Sequence, residues 1–160
     1  MEQYKKWILT NYKNSEIIGY FNPNNMKINY FYLDNYDPSD LTHIHHIFLG
    51  SEYPQFRDFF ENITLLTPTM HLNYAHRHGN TKTIDRKWCY IFLVSKVECM
   101  KKSFNLKNNI FSFKSFIQLL STVLNNNQFL SIKDKDFDSL ILLLKKIFQM
   151  NIIHKNNIQL

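Results

Sequence analysis

The stretch Leu41–Gly50, LTHIHHIFLG, places His43, His45 and His46 within four positions. Imidazole nitrogens exchange protons near neutral pH and ligate transition metals, so histidines gathered on one face are a candidate metal site. The local period decides whether they gather. On a strand side chains alternate, so His43 and His45 share a face and can meet one divalent ion. On a helix the same two residues stand about 200° apart, and Leu41, Ile44, Ile47 and Phe48 form an apolar stripe instead. Asp37, Pro38 and Ser39 read as a helix start, with Ser39 or Asp40 as the cap. The expectation is therefore a helix with its histidines at the margins and no metal site.

The elements around this stretch follow from hydrophobic periodicity. KINYFYL, from Lys27, alternates as a strand, and DNYDPSD turns the chain. PQFRDFFENI places Phe56, Phe59, Phe60 and Ile63 at helical spacing, and ITLLTPTM is extended up to Pro68, which suits an edge or a strand end. Residues 71–87 are polar and basic and read as an irregular insertion. WCYIFLVS, from Trp88, reads as the strongest strand. It runs into KVECMKKS and returns at FNLKNNIFSF, which predicts a long hairpin with Lys96, Lys101 and Lys102 at a basic tip. FKSFIQLLSTVL predicts a helix, and QFLSI a short strand. Phe137, Leu140, Ile141, Leu144 and Phe148 repeat at helical spacing, with Asp134, Asp136 and Asp138 near the start and Lys145 and Lys146 near the end, matching the helix dipole. NIIHKNNIQL predicts a closing strand. From Lys27 the order is strand, helix, two long strands, helix, strand, an α+β class compatible with a ferredoxin-like sandwich carrying a protruding hairpin.

Composition narrows the function classes. The 160 residues suit one domain with an adequate core. Sixteen lysines and three arginines against 13 acids give a net charge of +6, which favours a polyanionic partner. Cys89 and Cys99 alone argue against a disulfide framework or a structural cysteine–zinc site, and fit a reducing compartment. Nineteen asparagines and 17 isoleucines beside a single alanine point to coding bias in an AT-rich genome, as in organelles, plasmids and some viruses. The first eighteen residues carry Glu2 and Glu16, no arginine and no secretory apolar core, so no targeting leader is expected. LILLL, residues 140–144, is too short to span a bilayer.

Two resemblances connect these features to function. HIHHIF resembles the histidine, hydrophobic, histidine motif of rolling-circle replication nucleases. That likeness implies a metal on His43 and His45, Asp34 or Asp37 as an extra ligand, WILTN as the first family motif and Tyr90 as the nucleophile. The family's lysine three residues after the tyrosine is missing, since Leu93 stands there.

YIFLVSKVECMKKSF resembles the hairpin of the ribosomal protein S-ten family of the small subunit, matched by Tyr90, Leu93, Ser95, Lys101, Lys102, Ser103 and Phe104. KINYFYLDNYDPSDL, LLTPTM and FDSLILLLKKI with NIIHKNNIQL are similar to other segments of that family, in the same order, over residues 27–160. Val94, Lys96 and Val97 replace the arginine and the proline–histidine pair that flank the family's hairpin serine. Residues 1–26 would be an extension, and 71–87 and 113–127 insertions. The resemblance implies a non-enzymatic constituent of the small-subunit head in a mitochondrial ribosome of the matrix, bound to rRNA and neighbouring head proteins. It implies no cofactor, metal, membrane or small-molecule substrate. Its RNA contacts would be Lys96, Lys101, Lys102, Ser95 and Ser103 at the hairpin, with Arg77, Lys82, Arg86 and Lys87 in the polar segment before it. HRHG, His76–Gly79, is then expected to be a polar loop facing RNA or a partner rather than a ligand set.

Overall fold

A buried asparagine fixes the first turn of the described residues. In the computed structural model, which describes residues 43–66, 68, 71–76, 86–105, 107 and 111–156, Asn62 is fully buried. Its side-chain oxygen accepts from the Phe48 N–H at 2.8 Å, and its amide nitrogen donates to the carbonyls of Phe48 (3.0 Å) and Phe56 (3.2 Å). Its own carbonyl accepts from the Ile47 N–H at 2.8 Å. These bonds close the loop between strand β1 (His43–His46) and strand β2 (Ile63–Leu66). The strands pair antiparallel with His43 opposite Leu66 and His45 opposite Thr64. Two short 3-10 turns, Pro54–Phe56 and Phe60–Asn62, occupy the loop where helical spacing predicted a helix.

The helix expected through the histidines is thus a strand. Ile47 and Phe48 are still buried, but they follow the strand and do not form a helical stripe with Ile44. Pairing with β2 supplies the backbone partners that a helix would otherwise provide.

The largest correction concerns residues 86–105, which form one α-helix, α1 (Arg86–Asn105), and not two strands of a hairpin. A continuous apolar run is equally consistent with a buried helix and a buried strand. What decides here is the spacing of Cys89, Leu93, Lys96, Met100 and Ser103, steps of four and three that form one buried helical face and carry the pattern through the supposed tip. Ile91, Phe92, Val94 and Val97 are buried as well, so the helix is enclosed on most of its circumference.

Helix α2 (Phe113–Val123) and helix α3 (Phe137–Asn156) follow. Ser112 caps α2 by accepting from the Ser115 N–H at 3.2 Å. Asn125, at φ 47°, ends it, with the Asn126 N–H bonded to the Ser121 carbonyl and the Asn125 N–H to Thr122. This left-handed stop suits asparagine. Asp136 caps α3 by accepting from the Ser139 N–H at 3.1 Å, and hydrogen bonding from the Ser139 side chain, then from that N–H, holds its carboxyl below the usual range. Phe116, Leu119 and Leu120 are fully buried, so the segment expected as an insertion supplies core. QFLSI forms a 3-10 turn, Asn127–Ser131, in place of a short strand, and residues 151–156 continue α3 where the closing strand was expected to begin. The described residues are therefore α+β, three helices with a two-stranded antiparallel sheet. Trp7, the strand from Lys27, the turn before Leu41 and the 1–26 extension lie outside them.

Replacing Asn62 with alanine strips the Phe48 N–H and carbonyl of their side-chain partner and leaves the Phe56 carbonyl with the Phe59 N–H alone. The expected loss is about 3 kcal/mol in chemical denaturation. A loss below about 1 kcal/mol would show that the loop closes without the amide.

Candidate functional site

Strand pairing turns the histidines to opposite faces. His46 points outward and its Nε2–H donates to the Arg57 carbonyl at 3.0 Å. His43 and His45 share the other face, where a single π-helical turn, His71–Ala75, lies against them. The turn closes with the His76 N–H bonded to the His71 carbonyl at 3.2 Å. That i to i+5 bond sets the His76 ring edge-on to His71, with centroids 4.8 Å apart and planes at 89°. His45 stands edge-on to both, 5.4 Å from His71 and 5.1 Å from His76. Nδ1 of His43 lies 3.4 Å from Nδ1 of His71, one donating to the other.

His45, His71 and His76 each offer a ring nitrogen within 4.8 Å of the others. Among the described residues no carboxylate or thiolate joins the set. His45 is 2% exposed and His76 8%, and His45 Nε2 and His76 Nδ1 are buried with no hydrogen-bond partner among the described residues. Burial, helped by the neighbouring His76, His71 and His46, pushes the His45 imidazole from its ordinary value down to about 3. Burial, then His76 and His43, lowers His71 in the same direction. Near neutral pH His45 is therefore an unprotonated imidazole.

His71 and His76 went unrecognised in the sequence because a spacing of five fits neither strand alternation nor an α-helical face. Only the π-turn brings them together, and its signal is no stronger than a histidine-rich polar stretch. HRHG is accordingly corrected at its first residue: His76 is buried in the cluster and not displayed on a loop.

The expected RNA contacts scatter. Lys96 is 3% exposed, its ammonium 4.7 Å from the Phe111 ring centre, with burial lowering its pKa and Cys99 and Glu61 opposing that shift. Ser103 is buried and Ser95 half-buried on α1. Lys101 pairs with Asp138 at 3.6 Å on the surface, and Lys102 follows it on the helix. With no hairpin there is no tip to carry these lysines outward. Arg86 and Lys87 are exposed at the start of α1, while Arg77 and Lys82 lie outside the described residues.

Tyr90 packs on Phe148, ring centres 5.2 Å apart, and its burial raises the phenol pKa. Phe92, two positions on, is the residue that meets His45, at 5.4 Å. Two positions on a helix are about 200° apart, so the phenol is turned away from the imidazoles. Asp34 and Asp37 lie outside the described residues. A cleft of about 340 Å³ between Ile47, Tyr53, Arg86, Cys89, Leu124 and Phe148 is separate from the histidines. No helix among the described residues is long and apolar enough to cross a membrane.

Comparison of the chain with protein-family models, with curated proteins and with solved structures finds no match.

Two outcomes follow from these environments. In chelator, where no metal competes, a histidine whose folded pKa lies below its unfolded value binds fewer protons when folded. Its contribution is full above about pH 6.5 and is lost as pH falls toward 3. Wild type should lose on the order of 3 kcal/mol more than His45→Leu between pH 7 and pH 4. Parallel pH profiles for the two proteins would show that His45 is not buried in this way. Separately, Lys96→Gln should destabilise by about 2 kcal/mol, because it leaves the buried Glu61 without its cationic neighbour. Lys101→Gln, at an exposed pair, should stay within about 1 kcal/mol. Equal effects in urea titrations would place both lysines on the surface.

Proposed function

We propose that the chain is a non-catalytic RNA-binding constituent of a ribonucleoprotein, set in the head of the mitochondrial small ribosomal subunit. The observation that carries RNA binding is a basic end of the helix pair α1 and α3. The Arg86 guanidinium lies 5.0 Å from the Phe148 ring centre, which brings the start of α1 beside the part of α3 that carries Lys145 and Lys146. Arg86, Lys87, Lys145 and Lys146 are all exposed. Four cations at one end of a rigid helix pair can follow a phosphate backbone without needing to read bases.

The wider surface supports the same reading. Among the described residues nine lysines and arginines are exposed against four acids, so the accessible face keeps the cationic excess of the whole sequence. Glu61 contributes nothing to that face, since it is buried and accepts from the Ser112 N–H at 2.6 Å.

The ribosomal setting, with rRNA and neighbouring head proteins as partners, rests on the parts of the resemblance that keep their expected form. These are the strand Ile63–Leu66 and the helix from Phe137. A ferredoxin-like sandwich would have to draw its remaining strands from residues outside those described.

The test has two arms. Binding of purified protein to a small-subunit rRNA fragment is measured against salt for wild type and for Arg86→Gln/Lys87→Gln/Lys145→Gln/Lys146→Gln. The variant should reduce the slope of log K against log salt by roughly 3. An unchanged slope sinks the basic end as the RNA contact. Tagged protein is then followed through a high-salt gradient, where it should travel with small subunits. Free migration would leave RNA binding standing and remove the ribosomal setting.

A further inference from the structure

We propose that His45, His71 and His76 form a binding site for one divalent transition cation of the zinc class. The inference is independent of the RNA-binding reading, because it uses a different set of residues. Three imidazoles come from two backbone elements whose geometry is fixed by the fold. β1 holds His45 through its pairing with β2, and the π-turn holds His71 and His76 through its own i to i+5 bond.

The state of the nitrogens points to a ligand. A buried ring nitrogen without a partner is destabilising, and native structures seldom tolerate one, let alone two in adjacent rings. His45 Nε2 and His76 Nδ1 are such a pair among the described residues, and both belong to the cluster. A cation between them would accept both lone pairs at once.

Distance and donor type narrow the ion. With zinc–nitrogen bonds of about 2.0–2.1 Å, tetrahedral ligand nitrogens lie about 3.3 Å apart. The three nitrogens here are within 4.8 Å of one another, so modest ring rotations close the site without moving the backbone. An all-imidazole set selects zinc, cobalt, nickel or copper over magnesium and calcium, which prefer oxygen. Three protein ligands leave a fourth position for water or another donor. His43 then acts from outside the set: with the His71 Nδ1–H donating to His43 Nδ1 at 3.4 Å, that ring is oriented and its Nε2 lone pair is left for the cation. Phe92 forms an apolar wall behind His45.

The experiment uses the full chain, stripped with chelator and titrated with cobalt, zinc and magnesium. The expected result is one equivalent of cobalt giving the intense visible absorption of four-coordinate geometry, displaced by zinc and untouched by magnesium. Zinc should also raise the melting temperature. His71→Ala and His76→Ala should each weaken binding at least tenfold, and His46→Ala, on the opposite face, should not. Should an alanine variant fail to fold, zinc protection of wild-type histidines from acylation, mapped by mass spectrometry, gives a second readout. His71 should be protected, and His46 should react at the same rate with and without zinc. Absence of a four-coordinate cobalt spectrum in wild type, tight binding retained in both His71→Ala and His76→Ala, or equal protection of His46 and His71 would each overturn the site.

Discussion

Everything on the histidine side of the molecule depends on the Asn62 amide. It holds both backbone groups of Phe48 and the carbonyl of Phe56, and so fixes where β1 ends and how far the chain travels before β2 begins. Register follows from that length. A strand has a side-chain period of two, so a slip of one residue exchanges its faces. With His45 opposite Thr64, an imidazole is inward and His46 reaches the Arg57 carbonyl outside. One residue of slip would bury His46 and Ile44 and send His43 and His45 into solvent. A single buried side chain with three well-directed bonds can impose such a choice, because the wrong register would leave its partners unpaired.

The ribbon is joined to the helices by a second polar contact. Glu61, next to Asn62, accepts from the Ser112 N–H just before α2, and its carboxylate also acts electrostatically on Lys96 of α1. One carboxylate therefore links the loop of the ribbon to two helices. Lys96 completes the arrangement by placing its ammonium over Phe111, where the ring face offers partial compensation for lost water. A lysine at the centre of a core helix is costly to bury alone, and the surrounding acid and aromatic ring explain why it is held there.

How much of this was legible differs from element to element. α2 and α3 were plain in the sequence, α3 through its apolar stripe at helical spacing and the acids at its start, of which Asp136 is the cap, while the Ser112 cap of α2 is seen only in the fold. α1 was misread because its run of apolar residues fills every face, and lysines within it suggested solvent. The same lysines belong to a helix that buries Lys96 and leaves Lys101 at its margin beside Asp138. β1 was misread for the opposite reason: a good local helix start at Asp37–Ser39 outweighed four residues whose strand form depends on a partner seventeen or more positions away. The candidate site was half legible. His43 and His45 were visible as an alternating pair, whereas His71 and His76 enter through a π-turn, which leaves no periodic trace.

α1 also separates the two proposed sites. On one side Phe92 backs the His45 imidazole, and on the other Tyr90 and Arg86 meet Phe148 at the basic end. Residues two apart on a helix face nearly opposite ways, and the helix between them is filled with buried side chains. A cation among the imidazoles would thus be separated from a polyanion on Arg86 and Lys87 by packed core rather than by water. The cation would instead act on the fold, by joining β1 to the π-turn across a contact that otherwise leaves two buried nitrogens without partners. Its contribution to RNA binding would then be indirect, through the stability of the face of α1 on which the ribbon packs.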